Sequence, residues 1–148
     1  MQLTLYSDYS LRVLIYLGTK PDDEIATITG IAQAYGISRN HLVKVVHNLS
    51  QLGYIITVRG NQGGMRLSRS PERIKIGEVI RHTEGTFDIV ECFNTASNTC
   101  PISPICKLKG VFNEAYRHFI RVLDHYTLAD IIKNKKQLLS VLLSDVNE

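Results

Sequence analysis

The sequence predicts a mainly α-helical chain with one small β-hairpin and one long amphipathic helix toward its C-terminal end. Three observations predict it. Apolar residues recur at spacings of three and four through most of the chain. A single β-branched run over residues 54–59 is followed by a glycine-rich turn and a short returning run. The stripe Leu108, Val111, Phe112, Ala115, Phe119, Val122, Leu123 and Tyr126 keeps helical spacing for more than four turns.

Taken in order, residues 3–18 read as the first helix, with Leu11, Val13, Leu14, Ile15 and Leu17 forming a broad apolar face. Ser7 or Asp8 is its expected cap, and Gly18 followed by Pro21 its expected stop. The residues alone give Asp8 the role of a first-turn acid favoured by the helix dipole. Residues 25–52 read as two helices around a sharp turn. Ile28, Ile31 and Ala32 face inward on the first. Gly36 suits the turn, Ile37 buries it, and Ser38 caps the next helix. Leu42, Val45, Val46, Leu49 and Leu52 then share one face, while Arg39, Asn40, His41 and Lys44 share the other. Those polar types suit a recognition helix: Arg and Lys for guanine edges or phosphates, Asn for adenine. The N-terminal residues of the second helix are the ones that reach bases in such motifs.

The run 54–59 and the returning run 65–68 flank the turn 60–64. A hairpin directly after a recognition helix is the wing of a winged helix-turn-helix, and Arg59, Gly60, Gln62 and Arg66 lie on or beside its tip. The glycines are not a P-loop, because no Gly-Lys-Ser/Thr ending follows, and no parallel βαβ pattern surrounds them. Ile76, Val79 and Ile80 mark a short helix over Ile76–Thr83. The long stripe marks a helix over 107–125, and part of its face is expected to meet a second copy of the chain. Thr127 caps a last helical start, and residues 133–148 have helical composition with a weakly anchored end. The expected organisation is a DNA-binding unit over 1–84, a cysteine loop over 85–107, and a dimerisation helix with a tail over 108–148.

Charge placement supports a nucleic-acid surface. Net charge is only +3, but residues 1–70 hold all of the excess. Residues 36–70 carry Arg39, Lys44, Arg59, Arg66 and Arg69 and no acid, which is the electrostatic footprint of a DNA-binding face. No basic leader with a cleavage site is readable, and no run of about 18 apolar residues could span a membrane. The expectation is a cytoplasmic protein without a membrane segment. No Ser-His-Asp set, paired-carboxylate site or HExxH spacing is present, so enzymatic chemistry is not expected.

Cys92, Cys100 and Cys106 are the only cysteines and fall within fifteen residues. Such clustering suggests one object held by three thiolates. A structural zinc site favours four ligands and short Cys-x(2–4)-Cys knuckles, and none is present. A disulfide would leave one thiol over. An iron–sulfur cluster takes thiolate ligands and, being larger than an ion, tolerates a wide loop. Pro101 and Pro104 bar a regular helix between the last two cysteines. Spacing ranks a cluster first, zinc second and three unconnected thiols third.

These features together resemble one family, the winged-helix iron–sulfur regulators typified by NsrR and IscR. The marks are Leu3 and Thr4 with residues 6–12, Ile31 and Ala32 with residues 36–38, and Val58, Arg59, Gly60, Gly63 and Gly64 in the wing. Residues 76–80, the three cysteines and residues 126–130 complete them, so the resemblance covers nearly the whole chain. Within the family the chain is closer to the nitric-oxide-sensing NsrR type. A histidine ligand three residues after the last cysteine marks IscR-like members, and that position here is Lys109. The resemblance implies a homodimeric repressor that binds a pseudo-palindromic operator in double-stranded DNA. It implies a 4Fe-4S cluster (alternatively 2Fe-2S) on Cys92, Cys100 and Cys106, completed by Asp8 from the other subunit. Nitric oxide would then release the DNA and derepress nitrosative-stress genes. Glu84, Asp88 and Glu91 are the other acids that could serve in place of Asp8. The alternative function is an iron–sulfur-status or thiol/zinc redox-sensing regulator of the same fold.

Overall fold

The first helix, α1 (Leu5–Thr19), is the element around which the rest is packed in the computed structural model, which describes residues 2–22, 24–60 and 63–144. Val13 and Leu14 on α1 are fully buried. The helix begins two residues inside the expected 3–18 span, but its cap lies ahead of the expected one. Thr4, not Ser7 or Asp8, is the N-cap, accepting from the Ser7 N–H at 3.2 Å. Thr4 is itself held from across the chain, donating its N–H (2.8 Å) and hydroxyl (3.1 Å) to Glu84 Oε1. Gly18 does not stop the helix but lies inside it. A Cβ there would come within 2.9 Å of Ile132 Cδ1, so glycine permits the close approach of the C-terminal segment.

Helices α2 (Ile28–Tyr35) and α3 (Arg39–Gln51) form the expected helix-turn-helix. Gly36 closes α2 in the left-handed conformation, φ 61°, which favours glycine over any residue with a Cβ. Leu42, Val45, Val46 and Leu49 bury one face of α3 against α1 and α2. Strands β1 (Ile55–Val58) and β2 (Gly64–Leu67) pair antiparallel, with Ile56 opposite Arg66 and Val58 opposite Gly64. A two-bond bridge between Ala26 and Met65 (2.9 and 2.8 Å) fastens this wing to the link before α2.

Helix α4 (Ile76–Thr83) matches its expected bounds and lies between α1 and α5 (Lys107–Asp124). Bidentate contacts from Arg81 to Asp124 (3.0 and 2.8 Å) join α4 to α5. Thr127 caps α6 (Leu128–Ile131) in a reciprocal capping box with Asp130. The helical composition of residues 133–148 is seen as helix α7 (Lys135–Ser144), which returns to α1 and α2 and buries Leu142, while the end expected to be weakly anchored, residues 145–148, lies outside the described residues. Helix α7 returns because the stretch after α5 carries Leu128, Ile132 and Leu142 into the main core.

Candidate functional site

Burying one face of α3 leaves the other in water. Arg39, Asn40, His41, Lys44 and His47 are all exposed there. Ser38 occupies the N-cap position, and its carbonyl accepts from the N–H groups of His41 (3.1 Å) and Leu42 (3.2 Å), yet its side chain makes no capping bond. The expected hydroxyl cap is therefore corrected: the backbone alone starts this helix. Sequence reasoning missed Val43, which is 46% exposed in the middle of this polar face. Its signal was visible as an apolar residue out of phase with Leu42, Val45 and Val46.

On the wing, Arg59, Gly60 and Arg66 are exposed, as are Ile56 and Val58, while Gln62 lies outside the described residues. Arg69 behaves differently from the other four cations of the acid-free stretch. It lies 4.7 Å from the centroid of the buried Tyr54 ring and reaches Glu78 at 3.2 Å, so it braces the wing's base against α4. Burial pushes the Tyr54 phenol well above its ordinary value, and its hydroxyl pairs with His82 Nδ1 at 2.8 Å.

The three cysteines are unpaired and half-buried. Cys92 sits in a 3-10 turn, Glu91–Phe93, and Cys106 at the N-cap of α5. Cys100 and Cys106 open onto one hollow of about 650 Å³, which Lys109 and Asn113 also line and Cys92 does not. Among the described residues no three His, Cys, Asp or Glu side chains are grouped to hold a single metal ion. Two thiols open onto this hollow and the third lies on the same short segment, and cysteine thiolates are the usual ligands of an iron–sulfur cluster.

Asp8 lies in the first turn of α1, bonded to Arg12 at 2.7 Å. The Arg12 guanidinium lies 5.7 Å from the Tyr9 ring centroid and 5.9 Å from that of Tyr35. Tyr9 in turn lies 6.2 Å from the ring of His41 on α3. The structure thus connects Asp8 to the recognition helix through two side chains, a link the sequence did not reveal. The competing acids have partners of their own: Glu84 holds Thr4, and Glu91 accepts from the Thr99 hydroxyl and N–H, both at 2.7 Å. Those bonds, the hydroxyl's first, hold the Glu91 carboxyl below its usual range. Asp88 is exposed.

An exposed basic recognition helix with a wing beside it defines a winged-helix DNA-binding transcriptional regulator. The Rrf2 family profile, described as "Iron-dependent Transcriptional regulator", matches residues 3–134, and the chain belongs to that family. It is 55% identical over 142 residues to the HTH-type transcriptional regulator NsrR of Bacillus licheniformis, covering 96% of this chain and 99% of that one. The corresponding NsrR of Bacillus subtilis is 54% identical, with 96% and 97% covered. Among solved structures, T. potens IscR superposes with a TM-score of 0.73 at 26% identity, covering 90% of this chain and 88% of that one. Staphylococcus aureus CymR gives 0.69 at 26%, with 86% and 95% covered. Among the described residues no helix is long and apolar enough to cross a membrane.

Proposed function

We propose that the chain acts as a homodimeric repressor on a pseudo-palindromic operator and leaves it when nitric oxide destroys a bound iron–sulfur cluster. The observation that carries this reading is the path from Asp8 through Arg12 and Tyr9 to His41, because it ties a candidate cluster ligand to the recognition helix. Each subunit places Ser38, Arg39, Asn40, His41 and Lys44 in a major groove, and Arg59, Gly60, Gln62 and Arg66 against the backbone or minor groove. Val43 joins this set, with its methyls available to a thymine methyl. Two-fold symmetry sets the half-sites about one helical turn, or a multiple of it, apart. Residues 1–84 read DNA, 85–107 hold the cluster, and the α5 face dimerises, while α6 and α7 return to the reading unit.

Cys92, Cys100 and Cys106 of one subunit would hold the cluster, 4Fe-4S in preference to 2Fe-2S, with Asp8 of the partner subunit. Bound there, it would supply iron reactive toward nitric oxide, with the carboxylate-ligated position weaker than a fourth thiolate would make it. Asp8 then has two uses. Ligation would take the Asp8 carboxylate from Arg12, whose guanidinium lies beside both Tyr9 and Tyr35. The two arrangements bias the α1–α3 contact, which gives the switch a named bistable element. Half-exposed free thiols also support a second reading, direct thiol oxidation or zinc binding.

The test is an anaerobic gel shift on a duplex selected from a random pool, with cluster-loaded protein titrated by nitric oxide while visible absorbance is followed. Release of DNA in step with loss of absorbance is the expected result. Binding that persists after the cluster has gone removes the sensor reading and favours the thiol or zinc one.

A further inference from the structure

We propose that Glu91 and Thr99 form a clasp that presets the approach of Cys92 to Cys100, which makes Glu91 a positioning residue for the iron–sulfur site and not a ligand in it. The inference rests on the cluster reading above. Glu91 adjoins Cys92, and Thr99 adjoins Cys100. One carboxylate oxygen, Oε1, accepts both the N–H and the hydroxyl of Thr99 at 2.7 Å.

What singles the pair out is its span. The other hydrogen bonds described within residues 85–106 are local. Asn94 Oδ1 accepts from Ala96 N–H and Asn98 Oδ1 from Cys100 N–H, both at 3.1 Å, and the backbone bonds here join residues two or three apart. Glu91 and Thr99 are eight apart and bracket the whole turn between the first two cysteines. Three separate local turns leave the ends of this loop free, and closing it costs chain entropy at the moment a cluster is bound. A charge-assisted double bond formed beforehand removes part of that cost. Both residues are exposed, so the clasp adds little to the fold itself and its consequence falls on the thiols. It also accounts for the carboxylate without calling on it as a ligand.

The test compares wild type with Glu91→Ala, Thr99→Val and Thr99→Ser in the full-length protein. In the metal-free protein, hydrogen exchange at the Thr99 amide and the rate of bridging of Cys92 to Cys100 by a bifunctional thiol reagent are measured. In protein loaded anaerobically with ferrous iron and sulfide, the rate of cluster loss to an iron chelator and the visible spectrum are measured. Glu91→Ala is expected to speed Thr99 exchange and cluster loss by about two- to tenfold and to slow bridging by a similar factor. The visible spectrum stays as in wild type. Thr99→Ser, which keeps both bonds, behaves as wild type, and Thr99→Val falls between. Unchanged exchange, bridging and cluster lifetime in Glu91→Ala overturn the clasp. A changed visible spectrum of the loaded variant also overturns it, because that makes Glu91 a ligand. If wild type takes up no cluster, the sensor reading fails, and faster exchange with slower bridging in the metal-free variant still upholds the clasp.

Discussion

The two halves of the molecule are built to different degrees of completion. In the reading half, Val13, Leu14, Ile31, Leu42, Leu49 and Tyr54 are fully buried, and α6 and α7 come back to close the same core. In the sensory half, α5 buries only Ile120 of its eighteen residues, while Leu108, Val111 and Val122 are each more than half exposed. The three cysteines are half-buried, and the segment that carries them has a short 3-10 helix and turns in place of long elements. One chain therefore joins a well-packed DNA-reading head to a cysteine segment and a long helix with an uncovered apolar face. Under the proposed function, a second copy of the chain would cover the apolar face of α5 and bring Asp8 to the cysteines.

The contrast can be broken most forcefully in the reading half. Leu42→Ala empties a fully buried site on α3 and is expected to cost about 2–5 kcal/mol in denaturant unfolding, with DNA binding lost in proportion. Val111→Glu strikes the other half. It should leave helical content and the unfolding midpoint of the monomer intact but weaken the dimer by about 2 kcal/mol, roughly 30-fold, in sedimentation equilibrium. A smaller effect sharpens the reading face: exchanging one thymine per half-site for uracil should cost wild type about 1 kcal/mol of operator affinity, and Val43→Ala should be insensitive to that exchange. A scan of uracil substitutions with no position dependent on Val43 would remove it from the interface.

The smallest effect concerns the joint between the halves. Arg81 holds the Asp124 carboxyl below its usual range, with the hydrogen bonds as the main cause. A depressed folded-state value means the pair's stabilisation is present above about pH 4 and is lost as pH falls through the folded value. The pair is more than a third exposed on average, so Arg81→Gln should cost less than about 1 kcal/mol at neutral pH. That difference should shrink as pH falls below about 4 and through the folded value; a difference that does not change with pH would show that Arg81 acts through packing instead.

Legibility in the sequence divides along the same line. Helix α4 and the start of α5 were readable to the residue, because Ile76, Val79, Ile80 and the Leu108–Tyr126 stripe keep helical period. The wing was readable because a β-branched run met glycines. What was not readable depends on partners far away in the chain. Thr4 outcompetes Ser7 as cap while Glu84 holds it from eighty residues away. Gly18 looks like a stop until Ile132 is placed against it. The docking of α7 was hidden because Leu142 finds its site only once α1 and α2 exist. In the candidate site the residue types were visible, but their connections were not: Asp8 to Arg12, Glu91 to Thr99, and Arg69 to Tyr54 and Glu78 in place of DNA.

The central claim, that the sensor is completed across two chains, is tested most directly with paired heterodimers carrying one intact set of cysteines. In the first, the chain with cysteines bears Asp8→Ala and its partner, with all three cysteines changed to Ala, keeps Asp8. In the second, the chain with cysteines keeps Asp8 and the cysteine-free partner bears Asp8→Ala. The rate of cluster loss to nitric oxide is followed by absorbance in both. Wild-type kinetics in the first heterodimer and altered kinetics in the second are the predicted result. The reverse pattern, or identical kinetics in the two, would contradict a site shared between chains.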